Sequence, residues 1–363
     1  MDELKFDLWL MKLDIASTIK NRLTDCLGSS EEVYNADRKT LLDTNMVDEE
    51  HADLIIADKK VTDPDKLYEE FKKYDQKLIT RRDKGFPEKL KTIPNAPYGL
   101  FYIGNLPSSY DKCVAIVGAR RCSEYGRSTA YNLAKELTKR GYIIVSGMAL
   151  GIDNASHQGA LSEDGVSVAV FGCGVDICYP RGNIGTYTTI TKRGAVISEN
   201  YPETKPIAYN FPPRNRIISA LANQVVIIEA RERSGSLITA DFALSQGRDV
   251  YALPGRICDS LSGGCNRLLE QGAGIITSIP DFINNIEDVR ISTLYNEEES
   301  TDNAFSSEED REVYNSLDFY PKSIEDVVRE TNLELLNVLS AIMNLCSMGY
   351  IREAFVNQYI RLK

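Results

Sequence analysis

The stretch VAIVGARRCSEYGRS, residues 114–128, decides the fold because it changes character twice. It begins as a run of apolar residues, turns at Gly118, and becomes helical after Tyr125. A strand, a glycine turn and a helix in this order begin a nucleotide-binding α/β fold. A dinucleotide fingerprint would place two further glycines here, whereas this turn has Arg120 and Arg121. The turn therefore predicts a site for an anion that needs fixed positive charge.

Six further apolar runs follow, and each has the continuous character of a strand that is buried on both faces. Helical stretches lie between the runs, so the sequence predicts an α/β, doubly wound, Rossmann-like domain with a mostly parallel sheet. The predicted strands are residues 113–118, 142–147, 167–172, 195–198, 224–230, 249–253 and 273–278. The predicted helices are residues 126–140, 151–161, 183–193, 213–222, 236–246 and 265–271.

The flanking segments predict three further parts of the chain. Residues 1–75 read as short helices and predict a helical, SAM-like domain, which is followed by the extended Rossmann-like domain at 76–290. Residues 291–310 are acidic and serine-rich, and predict a linker. Residues 311–363 read as helix, turn, helix and hairpin, which predicts a winged helix.

Composition restricts the class of protein. The net charge is −11, yet residues 110–278 carry 18 basic and 15 acidic residues, so the central domain is mildly basic. No apolar run reaches the roughly 18 residues of a membrane span, and the amino terminus lacks the basic segment of a secretion signal. The eight cysteines include no C-x-x-C pair and the chain has two histidines, which predicts reduced thiols, a cytoplasmic protein and no metal.

Polar and aromatic residues collect where the predicted strands end, and ligands of such sheets bind at this edge. Glycines let backbone N–H groups approach an anion, helix N-termini favour phosphate, and arginines add forked donors. Aromatic rings stack on bases. Arginines from several loops favour a polyanion over one pyrophosphate. The predicted binding residues are Gly118, Arg120, Arg121, Tyr125, Gly147, Gly151, Gly172, Tyr179, Arg181, Asn183, Phe211, Arg214, Asn215, Arg216, Ser234, Gly235 and Ser236.

Several residues allow a second interpretation. Asp153 and His157 are four apart and share a helix face, either as a catalytic dyad or as a helix cap with a polar neighbour. Glu199 and Glu229 end strands and could act as general bases, or could hydrogen-bond loop amides and arginines. Arg214 and Arg216 contact phosphate or fix a long loop. The last long helix contains no Lys or Arg, which favours a protein-contact or autoregulatory module over a DNA-reading transcription regulator.

Six ordered segments carry a family resemblance: VAIVGARRCSEYG, VSGMALGIDNASHQGAL, VFGCGVDICYP, NFPPRNRIISAL, EARERSGSLITADFALSQGR and PGRICDSLSGGCNRLLEQGA. With them the chain resembles the DprA/Smf family of bacterial DNA-processing proteins. The resemblance implies binding of single-stranded DNA, a homodimer formed through the Rossmann-like domain, and loading of RecA recombinase onto DNA held by single-strand-binding protein during natural transformation. It implies no catalytic step and no cofactor, and it assigns DNA contacts to Arg120 and Arg181.

The chain departs from the family pattern at several points. Ala119 stands where the family usually has Ser, and Leu150 where it usually has Arg, and both changes predict weaker phosphate contact. The first domain lacks the glycine-rich hairpin turn. The competing function is a nucleotide-binding or nucleotide-hydrolysing Rossmann-like enzyme, but the PGGxGT signature of phosphoribohydrolases is missing.

Overall fold

The computed structural model describes residues 3–287 and 307–362, and it divides the chain into two compact units. The first unit comprises Met1–Arg121 and Ala130–Thr277, and the second comprises Cys122–Thr129 and Ser278–Lys363. The predicted domain boundaries stay predictions. Most of the predicted acidic linker lies outside the described residues.

A nine-stranded sheet forms the centre of the first unit, in the order β1-β2-β6-β5-β4-β3-β7-β8-β9. In this spatial order, the seven neighbouring strands β6, β5, β4, β3, β7, β8 and β9 are all parallel to one another. Strand β2 is antiparallel to both of its neighbours, β1 and β6. The mostly parallel sheet predicted from the buried apolar runs is therefore confirmed. The strands are β1 Lys77–Thr80, β2 Gly99–Gly104, β3 Cys113–Gly118, β4 Ile143–Ser146, β5 Ser167–Phe171, β6 Ala195–Ser198, β7 Gln224–Ile228, β8 Asp249–Ala252 and β9 Gly274–Ile275.

The order of the strands sets the position of the site. The parallel part starts at β3 in the middle, extends through β4, β5 and β6 on one side, and continues through β7, β8 and β9 on the other. The direction of winding reverses between β3 and β7, and loops that leave in opposite directions open a crevice at such a point. The strand-end loops predicted to bind an anion border this crevice.

Helices cover both faces of the sheet. One core contains strand residues with the helices α7, α11, α12 and α13, and another joins the six amino-terminal helices to β2, β5 and β6. None of the helices in the two described ranges is long and apolar enough to cross a bilayer. The helices of this unit are α1 Glu3–Lys12, α2 Ser17–Leu27, α3 Ser30–Asn35, α4 Arg38–Asp43, α5 Glu49–Asp58, α6 Pro64–Phe71, α7 Glu88–Lys91, α8 Glu124–Lys139 (whose first turn belongs to the second unit), α9 Ile152–Ser162, α10 Ile184–Arg193, α11 Phe211–Leu221, α12 Gly235–Ser245 and α13 Gly263–Glu270, with 3₁₀ helices at Arg181–Asn183 and Ala208–Asn210.

The second unit has its own apolar core and a three-stranded antiparallel sheet in the order β10-β12-β11. Val338, Ala341, Ile342 and Leu345 of its longest helix face that core, which explains their spacing in the sequence. The winged-helix interpretation stays a prediction. The elements are α14 Ile279–Ile286, α15 Glu308–Ser316, β10 Lys322–Ser323, α16 Ile324–Thr331, α17 Leu335–Ser347, β11 Ile351–Phe355 and β12 Gln358–Arg361.

Close contact between α9 and α8 depends on Gly159. A Cβ atom at this position would overlap the backbone carbonyl oxygen of Tyr131. The helices can therefore approach this closely only where the side chain is a hydrogen atom.

We expect Gly159→Ala to lower the free energy of unfolding by about 1–3 kcal/mol, because the methyl group forces the two helices apart. Gly185→Ala is the matched control, since a Cβ atom at Gly185 in α10 meets nothing within 4 Å. The control should leave stability unchanged or raise it by up to about 1 kcal/mol. Urea unfolding followed by fluorescence of Trp9, which is buried in the first unit, measures both; equal stability of the two variants contradicts the close packing.

His157 joins α9 to the sheet from a fully buried position. Its Nδ1 atom lies 2.7 Å from the Ser167 hydroxyl of β5. Burial, with a smaller contribution from the positive charge of Arg214, lowers the pKa of His157 to about 3. The folded protein therefore keeps this imidazole neutral at a pH where the unfolded chain protonates it.

This shift predicts a pH-dependent loss of stability. The contribution of His157 is fully present above its unfolded pKa of about 6.5 and is lost as the pH falls toward about 3. Between pH 7 and pH 5 the stability of the wild type should fall by about 2 kcal/mol more than that of His157→Gln, which has no imidazole to titrate. Urea titrations at several pH values compare the two proteins; parallel curves of stability against pH would refute this assignment.

Candidate nucleic-acid interface

A cavity of about 540 Å³ opens at the carboxyl ends of β3 and β7, where the winding of the sheet reverses. Its walls come from five strand-end loops and from residues of α9, α11 and α12. It therefore forms where the order of the strands places a ligand site. The lining residues are Val117, Gly118, Arg120, Ala149, Asp153, Tyr179, Pro206, Ala208, Phe211, Pro212, Arg214, Asn215, Ile218, Ser234, Gly235, Ser236, Ile238 and Thr239.

Phe211, the first residue of α11, lies at the centre of a cluster of arginine and aromatic side chains. The guanidinium carbon of Arg120 is 5.6 Å from its ring centroid, and that of Arg214 is 5.8 Å away. The ring of Tyr179 lies 5.7 Å from it at an angle of 34°. Arginine beside an aromatic face is held in place while its donors remain available. The cluster thus offers both cationic donors and ring faces at one cavity wall.

Arg214 is buried and contributes mainly to the architecture of the cavity. Its Nη1 atom donates to the carbonyl oxygen of Gly147 at 2.9 Å and also to that of Val170. A Cβ atom at position 147 would lie 2.6 Å from Nη1, so the guanidinium fits only against glycine. Burial lowers the pKa of Arg214 to about 10, while the negative charge of Asp153 opposes that shift.

Asp153 gives the cavity a buried carboxyl group. Its Oδ2 atom accepts a hydrogen bond from the backbone N–H of Ala149 at 3.3 Å. Burial raises the pKa of Asp153, and the charges of Arg214 and Arg120 act in the opposite direction. Because Arg214 is buried, the positive charge available to a ligand comes from Arg120, which is exposed.

The N-terminus of α12 supplies polar groups on the opposite wall. Ser234 caps this helix: its hydroxyl accepts from the backbone N–H of Ser236 at 3.3 Å and lies 2.7 Å from the Ser236 hydroxyl. Asn215 of α11 donates to the carbonyl oxygen of Gly235 at 3.3 Å, which ties the two helices together. The free backbone N–H groups of an 11-residue helix favour a negative charge at this wall.

Other predicted residues border or support the cavity without lining it. Arg121 and Arg181 are exposed and follow the lining residues Arg120 and Tyr179 closely in the chain. Gly151 has φ 79° and begins α9 against the carbonyl oxygen of Ala119. A Cβ atom at Gly172 would lie 3.0 Å from the Phe211 ring. Leu150, which stands where the family has Arg, is half exposed.

Asn183 and Arg216 both hold loops, and for Arg216 this is the second of the two roles that the sequence left open. Asn183 is buried and its amide donates to the carbonyl oxygen of Met148 at 2.8 Å. The Nη2 atom of Arg216 is 2.9 and 2.7 Å from the two carboxylate oxygens of Glu199, and its Nε donates to Asn95 at 3.0 Å. Both side chains are engaged in holding loops, so the interface that we propose below leaves them out.

Tyr125 belongs to the second unit and does not line the cavity. Its ring lies 5.6 Å from that of Phe319 and 6.3 Å from that of Tyr320. The position of Tyr125 in the sequence, after the first strand-end loop, could not predict these contacts because their partners lie about 200 residues further along the chain.

The side chains considered for catalysis have other partners. Asp153 accepts a hydrogen bond from the loop amide of Ala149, His157 contacts Ser167, and no side chain among the described residues caps the N-terminus of α9. Glu199 pairs with Arg216 and accepts from the Ser17 hydroxyl at 2.7 Å. Glu229 is buried at the end of β7 with φ 53°. Among the described residues that line the cavity there is no His, Cys, Glu or Lys.

Sequence reasoning missed individual residues of one cavity wall. Pro206 and Ala208 line it from the loop after β6, although neither residue carries a charge or a ring. Asp153 also lines it, although it had been considered only as a dyad member or helix cap. The rule that the loops after parallel strands meet at one edge places this loop at the site, but it does not show which of its residues face inward.

Comparison with known proteins places this geometry in a family. Residues 77–287 match the family model described as DNA recombination-mediator protein A. DNA processing protein DprA of Streptococcus pneumoniae is 42% identical over 221 residues, which are 61% of this chain and 77% of the relative.

Two solved structures share the fold. The X-ray structure of DNA processing protein A from S. pneumoniae superposes with a TM-score of 0.68 at 32% identity, covering 77% of this chain and 96% of that one. DNA processing protein A from Helicobacter pylori, whose structure concerns its single-stranded DNA binding mode, superposes with a TM-score of 0.54 at 31% identity, covering 59% and 97%. With more than half of its length matched by the family model, and with these relatives, the chain belongs to the DNA recombination-mediator protein A (DprA/Smf) family.

Proposed function

We propose that this protein binds single-stranded DNA at the cavity between β3 and β7 and acts as a recombination mediator. The observation that carries the proposal is the cluster around Phe211, in which Arg120 brings an exposed charge and Phe211 and Tyr179 bring ring faces to one wall. Phosphates need the charge and unpaired bases need the rings. The H. pylori relative, characterised with single-stranded DNA, supports the same ligand.

The phosphate contacts in this proposal come from exposed arginines at the rim. Arg120 lines the cavity, and Arg121 and Arg181 stand beside it with their side chains exposed. Gly118 and the capped N-terminus of α12, with Ser234, Gly235 and Ser236, add backbone and hydroxyl donors. Tyr179 and Phe211 supply the stacking faces. These groups need a strand that can bend into the cavity, which favours single strands over duplex.

The wider role follows from family membership. We infer that a homodimer formed through the first unit loads RecA recombinase onto DNA covered by single-strand-binding protein during natural transformation, in the cytoplasm and without a catalytic step. The charge distribution supports the assignment of DNA binding to the first unit. Among the described residues of α17 there is no charged side chain, so this helix has no cationic donor for phosphate.

A nucleotide-hydrolysing enzyme is the competing function, because the cavity lies where Rossmann-like enzymes hold nucleotides. Glu199 is paired with Arg216 and His157 with Ser167 inside the protein. These contacts argue against an enzyme, since a general base must reach its substrate. Incubation with nucleoside monophosphates, followed by titration with labelled oligo-dT, separates the two functions. Release of free base or ribose phosphate would favour the enzyme.

We expect Arg120→Ala and Arg181→Ala each to weaken binding of oligo-dT roughly 10-fold to 100-fold. This fold-change corresponds to the free energy of one charge-assisted hydrogen bond. The slope of log affinity against log salt should become shallower by about 0.7 for each arginine removed. Stability should change by no more than roughly 0.5 kcal/mol. Arg22→Ala, an exposed arginine on α2, is the matched control.

Fluorescence anisotropy at several salt concentrations gives both the affinity and the slope. Unchanged binding by the double variant Arg120→Ala/Arg181→Ala would remove this edge of the sheet as the interface. A loss of equal size in Arg22→Ala would show that the effect is one of net charge alone.

Arg216→Gln should give the opposite pattern. Removing Arg216 leaves the partly buried Glu199 with the Ser17 hydroxyl and the nearby charge of Lys20, so we expect the free energy of unfolding to fall by about 1.5–3 kcal/mol. At a temperature where the variant is folded, the salt dependence of DNA binding should equal that of the wild type. Thermal melts and the same anisotropy titrations test this; a shallower slope with unchanged stability would return Arg216 to the interface.

A further inference from the structure

The segment 205–210, between β6 and α11, forms one wall of the cavity and has two different sides. Pro206 and Ala208 line the cavity, whereas the residues between and after them face solvent. Ile207 is 53% exposed and Tyr209 is 81% exposed. We call these two side chains the outer shelf. A wall one chain thick thus separates the cavity from an exposed aromatic ring.

The backbone under the outer shelf is fixed. Tyr209 lies in the 3₁₀ helix Ala208–Asn210, which continues directly into α11. The N–H of Asn210 donates to the carbonyl oxygen of Ile207 at 3.1 Å. Tyr209 precedes Phe211 by two residues, so their Cα atoms are at most about 7.6 Å apart. The two rings can therefore serve neighbouring parts of one ligand.

The side chain of Tyr209 has no partner of its own among the described residues: no hydrogen bond, ring pair or ion pair involves it. Two apolar side chains are too few for a protein-docking surface, which requires a patch of several hundred Å². They are enough for one base, because a single ring face stacks a base of any sequence. The exposed Lys205 at the start of the segment adds a charge for the backbone of the same strand.

We propose that Tyr209 is a second base platform, on which a nucleotide outside the cavity stacks after the strand crosses the wall formed by Pro206 and Ala208. The inference rests on the proposed single-stranded DNA binding and extends it. It gives the strand a path from the Phe211 cluster over the outer shelf.

The first test compares two ligands of equal length, oligo-dT and the same backbone without bases. Tyr209→Ala should weaken binding of oligo-dT about 5-fold to 30-fold, the effect of one lost stack, and should leave binding of the abasic strand unchanged. Tyr209→Phe should bind like the wild type because it keeps the ring. Tyr74→Ala, which removes a 57% exposed tyrosine elsewhere in the first unit, is the control and should change neither affinity.

The second test introduces a tryptophan as a fluorescent reporter. The single native tryptophan of the chain, Trp9, is buried, so it should contribute a constant background. In Tyr209→Trp, titration with oligo-dT should quench the fluorescence of the new indole, and the midpoint of the quenching curve should equal that of the anisotropy curve. The abasic strand should cause no quenching. Tyr74→Trp should show no quenching with either ligand. Quenching that is equal in both variants, or absent from Tyr209→Trp, overturns the assignment.

The outcomes separate this inference from the proposed function. If the wild type binds oligo-dT and Arg120→Ala weakens it, while Tyr209→Ala does not, the outer shelf is refuted and the proposed function stands. If Tyr209→Ala weakens both ligands equally, the ring supports the wall and not a base, and the inference is also refuted. If the wild type binds neither ligand, both proposals fail.

Discussion

The guanidinium of Arg214 joins the ends of two neighbouring parallel strands to the helix that borders the cavity. It donates to the carbonyl oxygens of Gly147, directly after β4, and of Val170 in β5. Phe211 lies one turn before Arg214, at the start of the same helix α11. Carbonyl oxygens at strand ends have no partner in the sheet, so a buried donor that reaches two of them fixes both loops. This one side chain therefore ties the loops after β4 and β5 to α11.

The guanidinium of Arg214 is buried, and the carboxyl group of Asp153 is the group whose charge acts most favourably on it. Removing a charge from water is costly unless an opposite charge or a set of hydrogen bonds accompanies it. Here burial raises the pKa of Asp153 and lowers that of Arg214, and the charge of each group opposes the shift of the other. The exposed Arg120, whose guanidinium lies over the Phe211 ring, then determines the field that a phosphate meets.

The sequence was sufficient for the sheet and for the general position of the site. Continuous apolar runs such as CVAIVG and QVVIIEA identified strands buried on both faces, because they are short and rich in β-branched residues. Residues at the strand ends, such as Gly118 and Ser234, were brought together as expected. What failed was the direction of individual side chains, because burial depends on partners that are distant in sequence.

Arg214 and Arg216 illustrate this limit. They stand two residues apart on one helix, and positions at this spacing face different sides. One guanidinium therefore reaches the cavity and the strand ends, and the other reaches Glu199 and the loop at Asn95. From the sequence PPRNR the two arginines looked equivalent. The distinction came from the packing of α11, since only one of its sides faces the point where the winding of the sheet reverses.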